Sequence, residues 1–428
     1  MRLLVSALLV GVALSGAARQ WSLEDCVDHA VSHNIDVRSR MLNNQTANLD
    51  VDDARNRFLP TLSGYASQSF SFGRALTMDN TYADRNTSAF GAGASLNLPI
   101  FQGLAGIRRL DYAKASLAAT LEEAEAARED VTLNVIAGYL QALYTAELCQ
   151  VARERVAMSR RDLDRTTELV DAGRLPELDL FQGRATLSQD ELSLVNAVND
   201  STLAMLDLRQ LLNLDADVPF AIAPLNDSLP PLMSVDDVYS RALAANHRLR
   251  AASLQSVAAE KNVALAKTGW IPTLSFNAGI STNYYHTNGF QNESFGGQMR
   301  HNFAQSVGFS LSVPIFDAFS TRNSVRRARI NAESARLQLD DARQQLYKAI
   351  CQAHTQAVGA LRQRTATADA LESSRRAYEA MTIKYENGRA NATELEKAKS
   401  DYTNAMADAV HARYQFILRC RILSFYAN

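Results

Sequence analysis

Two long stretches of the chain, residues 102–171 and 317–386, carry apolar and charged residues at helical spacing. Neither stretch contains proline, glycine is rare in both, and alanine, leucine, glutamate and arginine are frequent. This composition predicts two continuous helices, here called rods, and at about 1.5 Å rise per residue each would be roughly 105 Å long. A compact domain needs no helix of that length to cover its core. We therefore expect the rods to span a distance.

The rods belong to a duplicated unit, because matched landmarks in the two halves keep a nearly constant offset. The landmarks 212 positions apart are Ser22 with Ser234, Asn34 with Asn246, and Pro60 with Pro272. The landmarks 215 positions apart are Pro99 with Pro314 and Gly173 with Gly388. The sequence thus predicts a first repeat over residues 19–213, a linker over 214–233 and a second repeat over 234–428.

Each repeat is predicted to begin with a head helix and to end with a tail helix. The head helices cover about residues 22–58 and 234–270, and the matched asparagines mark a break in each. The tail helices cover about residues 177–212 and 393–425. A head of about 37 residues and a tail of about 36 together match one rod at the helical rise. We expect head and tail to lie end to end beside a rod.

Between head helix and rod, the helical period gives way to strict alternation of apolar and polar residues. The predicted strands cover about residues 61–72, 89–98, 273–284 and 306–313. Their polar positions are mainly serine, asparagine, threonine and glycine, which is typical of a wet lumen, and their lengths suit tilted strands that cross a bilayer. A soluble sandwich would also alternate, so that alternative stays open at this point.

Four strands cannot close a barrel, and lipid does not tolerate an open sheet edge. A membrane location for these strands therefore requires an oligomer, with eight strands from two copies or twelve from three. The length of the rods favours the wider assembly.

The amino terminus has the pattern of a secretory signal peptide over residues 1–18. Arg2 precedes an apolar run of about 12 residues, too short to cross a bilayer, and small residues follow it. After this segment the 428-residue chain has no apolar stretch long enough for a transmembrane helix. The net charge of −2 gives no argument for binding nucleic acid.

Local motifs for catalysis are missing, since the sequence has no glycine-rich phosphate loop, no nucleophile elbow and no HExxH. Cys26, His29 and His33 share one face of a predicted helix, which is a spacing that could bind a metal. The second repeat has no matching cluster at the equivalent positions, so we favour a polar helix face. The sequence predicts no enzyme activity, no metal and no cofactor.

The order of these features resembles the TolC family of outer-membrane efflux proteins. The resemblance rests on the signal peptide, the duplicated unit, the strand exit Leu-Asn-Leu-Pro-Ile-Phe at residues 96–101 with its counterpart at 311–316, and Gly-Arg turns at 173–174 and 388–389. It implies a mainly helical fold with a small membrane β-barrel: a homotrimer with an α-barrel tunnel in the periplasm and a twelve-stranded barrel, four strands from each chain, in the bacterial outer membrane.

The same resemblance implies a passive exit duct of a tripartite efflux or secretion system. Its partners would be a periplasmic membrane-fusion adaptor and an inner-membrane pump of unknown class. Two rivals stay open: a soluble periplasmic coiled-coil adaptor or scaffold without a pore, and a structural tube that does not conduct.

The resemblance also implies site residues at the rod-to-tail turns. Asp179 and Tyr385 fall where the family places a carboxylate and a phenol that hold the duct shut, and Glu394 falls where it places an acidic constriction. The predicted adaptor-docking residues are Gly173, Arg174, Leu175, Gly388, Arg389 and Ala390. Two departures weaken the match, because Ala390 replaces a gating arginine and Lys397 replaces a second acidic residue. The alternative is that these are ordinary solvated charges near a turn.

Overall fold

The computed structural model describes residues 20–76, 80–215, 218–225 and 232–427. The predicted signal peptide, residues 1–18, lies outside the described residues, as do residues 216–217 and 226–231 of the predicted linker. Helices dominate the part of the chain that is described. None of them is both long and apolar enough to cross a membrane.

The two halves repeat the order helix, strand, strand, long helix, helix. The first half contains β1 (Gln20–Trp21), α1 (Leu23–His33), α2 (Ile35–Asn56), β2 (Thr61–Ser71), β3 (Arg74–Leu76), β4 (Tyr82–Asp84), β5 (Thr87–Phe101), α3 (Ala105–Asp171) and α4 (Glu177–Leu211). The second half contains β6 (Ala221–Ile222), α5 (Val235–Ala245), α6 (His247–Ala266), β7 (Thr273–Thr287), α7 (Phe295–His301), β8 (Ala304–Ser312), α8 (Ser320–Glu386) and α9 (Ala392–Ala427). The predicted mainly helical, duplicated fold is confirmed.

Each rod begins three residues later than its pattern predicted, and the corner between strand and rod explains the delay. Gly103 and Leu104 have φ of +57° and +67°, and Ala318 and Phe319, their counterparts in the second repeat, have φ of +53° and +62°. Two consecutive left-handed residues turn the chain sharply, and non-glycine residues adopt this conformation only when their surroundings hold it. The helix can begin only after that corner.

The head helices are broken at the matched asparagines, as the sequence indicated. Asn34 has an extended backbone, and its side-chain oxygen accepts a hydrogen bond of 2.8 Å from the N–H of Asp36 at the start of α2. Its side-chain nitrogen donates to the carbonyl of Leu211, 3.2 Å away, at the end of α4. One asparagine therefore caps a helix and joins the head of the first repeat to its tail.

The structure divides into two units, each with its own packing. In the unit formed by residues 1–41, 124–247 and 343–428, the head, the tails and part of α3 share a core. Val135, Tyr139, Leu208 and Ile417 are almost completely buried there. The Tyr139 hydroxyl lies 2.6 Å from the carbonyl of Ala223, so it supports the chain beside the short pair of β1 and β6.

The other unit contains residues 42–123 and 248–342, and its sheet has the strand order β2-β5-β7-β8 with antiparallel neighbours. The register brings the apolar positions of the four strands to one face. Opposed pairs on this apolar face are Leu62 with Leu96, Ala92 with Thr282, Phe276 with Phe309, and Ala278 with Val307. Because Val307 is 73% exposed, the chain by itself leaves this face largely uncovered.

The two stretches that connect the predicted strands, residues 73–87 and 285–305, have no periodic pattern in the sequence, yet both contain regular structure. The first contains the hairpin of β3 and β4, and the second contains α7. β7 runs to Thr287, whereas its pairing with β8 ends at Ser281 opposite Ala304, so its last residues have an edge that β8 does not cover.

Three amide side chains of the second loop pair with this edge of β7. The bonds are Asn302 to the carbonyl of Asn283 at 2.8 Å, Gln298 to the N–H and carbonyl of Tyr285 at 2.9 and 3.0 Å, and Asn292 to the N–H and carbonyl of Thr287 at 3.0 and 2.9 Å. Side chains that replace a neighbouring strand leave no periodic signal, which is why the pattern did not reveal them.

We expect Gln298→Ala to accelerate hydrogen exchange at the amide of Tyr285 by about fivefold. The substitution removes the acceptor of that N–H, and a hydrogen bond of this kind contributes about 1 kcal/mol. Exchange measured by mass spectrometry on peptides covering β7 tests the prediction, with Gln291→Ala in the same loop as the control. Equal exchange in both variants would contradict the edge pairing.

Candidate functional site

The turns that follow the two rods end each helix in the same way. At the first turn, Gly173 has φ of +70° and donates to the carbonyl of Val170 at 2.8 Å, and Arg174 donates to the carbonyl of Leu169 at 2.8 Å. This pair of bonds is a Schellman motif, which satisfies carbonyls that the helix leaves free. The second rod ends with the same motif at Gly388, where φ is +66°. We call the two turns with the adjoining helix ends the tip.

The predicted docking residues lie at the surface of the tip in the isolated chain. Gly173, Arg174, Gly388 and Arg389 are exposed, and Leu175 and Ala390 are half-buried. Their role in docking the adaptor stays a prediction.

The left-handed glycine at the tip gives a direct test of the turn geometry. We expect Gly388→Ala to lower the free energy of unfolding by about 1 kcal/mol, because an L side chain is strained at positive φ. Gly359→Ala, inside α8, is the matched control, and we expect it to be neutral or stabilising because alanine is favoured in a helix interior by about 1 kcal/mol. Denaturant unfolding of both variants measures the difference. A loss at Gly359 equal to that at Gly388 would argue against the turn.

Asp179 and Tyr385, the predicted gate pair, line one cavity of about 670 Å³ at the tip. Tyr385 lies at the end of α8 and is only 5% exposed. Its hydroxyl is 3.3 Å from the hydroxyl of Thr166 on α3. Asp179 lies in the first turn of α4 and is half-buried. The structure therefore brings the pair to the same cavity and adds Thr166, which the sequence analysis did not identify.

Glu394, the predicted constriction residue, is exposed at the start of α9. Its carboxylate accepts a 2.9 Å bond from the N–H of Asn391, whose side chain accepts a 2.8 Å bond from the N–H of Glu394. This reciprocal pair is a capping box, and a carboxylate at this helix end is also favoured by the helix dipole. In the isolated chain Glu394 therefore stabilises α9, which supplies part of the cavity lining.

An ion pair also joins the two rods beside the cavity. Arg165 on α3 and Glu386, the last residue of α8, form an ion pair of 2.8 Å. Both side chains are about 40% exposed, so water screens the attraction and the expected contribution is below about 1 kcal/mol. The pair lies next to the Thr166–Tyr385 contact in both helices and fixes the same register.

Deeper in the tip, a lysine is completely buried. Lys399 on α9 is 1% exposed, and its ammonium lies 2.6 Å from Glu396 Oε2, 2.8 Å from Ser159 Oγ and 3.5 Å from Asp162 Oδ2. A buried charge is costly unless it is paired and hydrogen-bonded, and Lys399 meets both conditions. Burial raises the pKa of Asp162 above its ordinary value, and the nearby Lys399 offsets only part of that effect.

The lysine is one end of a chain of polar contacts through three helices. Ser159 on α3 accepts from Lys399 and donates a short hydrogen bond to Asp190 on α4. Asp190 is 1% exposed, and its other oxygen accepts a 2.6 Å bond from Arg155. We call Arg155, Asp190, Ser159, Lys399, Asp162 and Glu396 the buried relay. The sequence could have indicated these two residues. Asp190 and Lys399 are charged, whereas the other buried positions of α4 and α9 are small or apolar.

The cluster of Cys26, His29 and His33 forms a stack of rings beside a thiol. His29 lies flat against His33 with ring centres 4.1 Å apart, and Trp21 meets His29 edge-on at 5.1 Å. Burial, and then the charge of His33, lowers the pKa of His29, and burial raises the pKa of the Cys26 thiol to about 12. In the part of the chain that the structure describes, no group of three or more such ligands is placed to hold a metal ion.

Comparison with known proteins places this geometry in a family. The family model described as outer membrane efflux protein matches residues 26–214 and 238–421, one match in each repeat. The outer membrane protein TolC of Escherichia coli is 24% identical over 96% of this chain and 83% of its own length. The protein CyaE of Bordetella pertussis is 25% identical over 95% of this chain and 83% of its own length.

The fold is also shared with solved channels. The crystal structure of the CmeC outer membrane channel of Campylobacter jejuni superposes with a TM-score of 0.79 at 18% identity, covering 95% of this chain and 85% of that one. The resemblance drawn from the sequence and the outer-membrane location that it implied are confirmed, and the soluble adaptor is not supported. Because the family model matches most of both repeats, the chain belongs to the outer membrane efflux protein family.

Proposed function

We propose that the chain is the outer-membrane exit duct of a tripartite efflux or secretion system. The observation that carries this proposal is the match to the efflux family over both repeats, in a chain whose rods and sheet have the predicted order. Substrates pass through the duct without chemical change, and energy comes from an inner-membrane pump joined through a periplasmic adaptor. The chain acts as a channel and not as an enzyme.

The sheet supports an assembly of several copies. β2 and β8 are its outer strands, and each presents one edge to solvent in the isolated chain. Backbone groups on an edge strand must be paired in lipid, where an unpaired group costs several kcal/mol. Pairing β8 of one copy with β2 of the next satisfies both edges, and a trimer closes the ring with twelve strands.

Membrane fractionation tests the location of the duct. The protein expressed in a Gram-negative host is expected in the outer-membrane fraction and should stay there through salt and carbonate washes, which remove peripheral proteins. Mass measurement after detergent extraction is expected to give three chains. Release by carbonate, or a monomer in the periplasmic fraction, would contradict the proposal and favour the soluble scaffold.

We propose that Asp179, Tyr385 and Glu394 form the gate of this duct. The supporting observation is that Asp179 and Tyr385 meet at one cavity, where the Tyr385 hydroxyl contacts Thr166 and so joins the end of one rod to the other. Threefold symmetry would bring three Glu394 carboxylates towards one another, where they would repel each other and attract cations.

The double variant Asp179→Ala, Tyr385→Phe is expected to raise single-channel conductance in a planar bilayer, because it removes the carboxylate and the phenol hydroxyl that hold the tip. Glu177→Ala is the control, since Glu177 is an exposed carboxylate in the same first turn of α4. Unchanged conductance in the double variant would remove the gate assignment and leave the duct intact.

The residues proposed to dock the adaptor are those exposed on the two turns. A cysteine placed at Arg174 or Arg389 should crosslink to a co-expressed adaptor through a short bifunctional reagent. A cysteine at Gln291, in the loop between β7 and α7, should not, because the proposed duct would place that loop outside the outer membrane, whereas the adaptor is periplasmic. Crosslinking at Gln291 alone would contradict this placement.

A further inference from the structure

We propose that Lys399 is a positioning residue of the gate and that the tip opens by breaking its contact with Ser159. The inference rests on the proposed gate, and it adds an element that the gate residues themselves do not contain. Lys399 holds the first two turns of α9, which carry Glu394, against α3. Its partner on α3 is the hydroxyl of Ser159, and we call the contact between these two residues the latch. The same hydroxyl also donates to Asp190 on α4.

The position of Lys399 suits this role. It lies seven residues after the first residue of α9, about two helical turns or roughly 10 Å from the turn. Lys399, Ser159 and Asp162 line the cavity that Asp179 and Tyr385 also line. A movement of the tip end of α9 therefore acts on the contacts of Lys399, and the cavity gives its side chain space to move.

The contacts of Lys399 differ in which helix supplies them. Glu396 lies on α9 itself, so its 2.6 Å bond to Lys399 moves with the lysine. Ser159 and Asp162 lie on α3, so those two contacts break when α9 moves away from α3. The buried lysine thus has one partner that it keeps and two that it loses.

Ser159 and Asp190 also keep hydrogen-bond partners when the contact with Lys399 breaks. When Lys399 leaves, the hydroxyl of Ser159 still donates to Asp190, and Asp190 still accepts from Arg155. Asp162 loses Lys399 but keeps the nearby positive charges of Arg161 and Arg165, so breaking the contact costs less than removing the only partner of a buried charge. Two satisfied arrangements of the same charges are what a two-state element requires.

The relay also explains why a lysine occupies an inward position of α9. Replacing a buried ion pair by apolar residues is often neutral or stabilising, so such a pair is weak evidence for stability and is retained in some proteins for specificity. An apolar residue at position 399 would have no specific bonding partner on α3. The lysine gives the closed arrangement specific partners on α3, Ser159 and Asp162, and the tip opens when these contacts break.

Single-channel recording of purified variants tests the proposal. Lys399→Met keeps the length of the side chain and removes its charge, and we expect the fraction of time that the channel is open to rise at least about fivefold, the lower end of typical coupling between two-state elements. Lys348→Met is the control, because Lys348 is an exposed lysine on α8 that does not line the cavity at the tip. Lys399→Arg should restore the wild-type open fraction, since it can still donate to Ser159.

A second variant keeps the test decisive if Lys399→Met fails to fold. Ser159→Ala leaves Lys399 paired with Glu396 and Asp162, and we expect it to raise the open fraction in the same direction. The double variant should open no more than Lys399→Met, because both substitutions remove the same contact.

The outcomes separate this inference from the function on which it rests. Channels of Lys399→Met and Ser159→Ala that conduct like the wild type would overturn the latch and leave the duct standing. An equal rise in Lys348→Met, or no restoration by Lys399→Arg, would also overturn it, because the effect would then not come from the contact with Ser159. Absence of any channel from the wild type would overturn the proposed function and the latch with it.

Discussion

Val307→Lys is expected to abolish assembly of the protein in the outer membrane, whereas Ser306→Lys is expected to be tolerated. The two residues are neighbours near the middle of β8 and point to opposite faces of the sheet. Val307 lies on the apolar face opposite Ala278, and Ser306 lies on the polar face opposite Gly279. A single experiment can therefore compare the two faces at the same depth.

The expected difference follows from the energy of placing a charge in lipid. A lysine on the lipid face of a membrane strand costs about 2 to 4 kcal/mol at the bilayer centre, and a trimer would contain three of them. A lysine in a water-filled lumen avoids that cost. Immunoblots of outer-membrane fractions measure the result. Equal assembly of the two variants would show that the apolar face does not contact lipid.

Asp190→Ala is expected to lower the free energy of unfolding by about 3 kcal/mol. Removing one partner of a buried ion pair leaves the other charge uncompensated, and losses of about 3 to 5 kcal/mol are typical. The lower end applies because the side chain of Arg155 keeps 28% exposure and can recover some hydration. The loss also leaves the hydroxyl of Ser159 without its acceptor.

The next residue along α4 supplies the control for Asp190. Glu191 pairs with Arg160 at 3.0 Å, but the two side chains are 48% and 64% exposed, so Glu191→Ala should cost less than about 1 kcal/mol. Denaturant unfolding in detergent compares the two variants. Similar losses at Asp190 and Glu191 would mean that the buried relay contributes no more to the free energy of unfolding than an exposed ion pair does.

The sequence predicted most of the architecture because its signals were periodic and repeated. Rods without proline and strands with strict alternation are long enough to be recognised from their patterns. The duplication then supported each predicted element through the matching element in the other repeat. The starts of the rods were misplaced by three residues because a left-handed corner, which includes Leu104 and Phe319, precedes each helix. Leucine and phenylalanine have little local propensity for positive φ, so the sequence of the corner did not reveal it.

The candidate site was predicted only in part, for a reason of distance along the chain. The turn glycines are local signals, and the resemblance supplied Asp179 and Tyr385. Ser159 and Lys399 are 240 positions apart, and nothing in either segment shows that the fold brings them together. Lys397 departs from the family pattern, but the lysine with buried contacts is Lys399, two residues later.

The most direct test of the account is a planar-bilayer recording of the unmodified protein, purified from the outer membrane as an assembled trimer. We predict discrete, long-lived current steps of uniform small size, as expected of a duct held mostly shut at its tip. Trimers that insert into the bilayer and give no current steps would contradict the account, and the molecule would then be a structural tube that does not conduct.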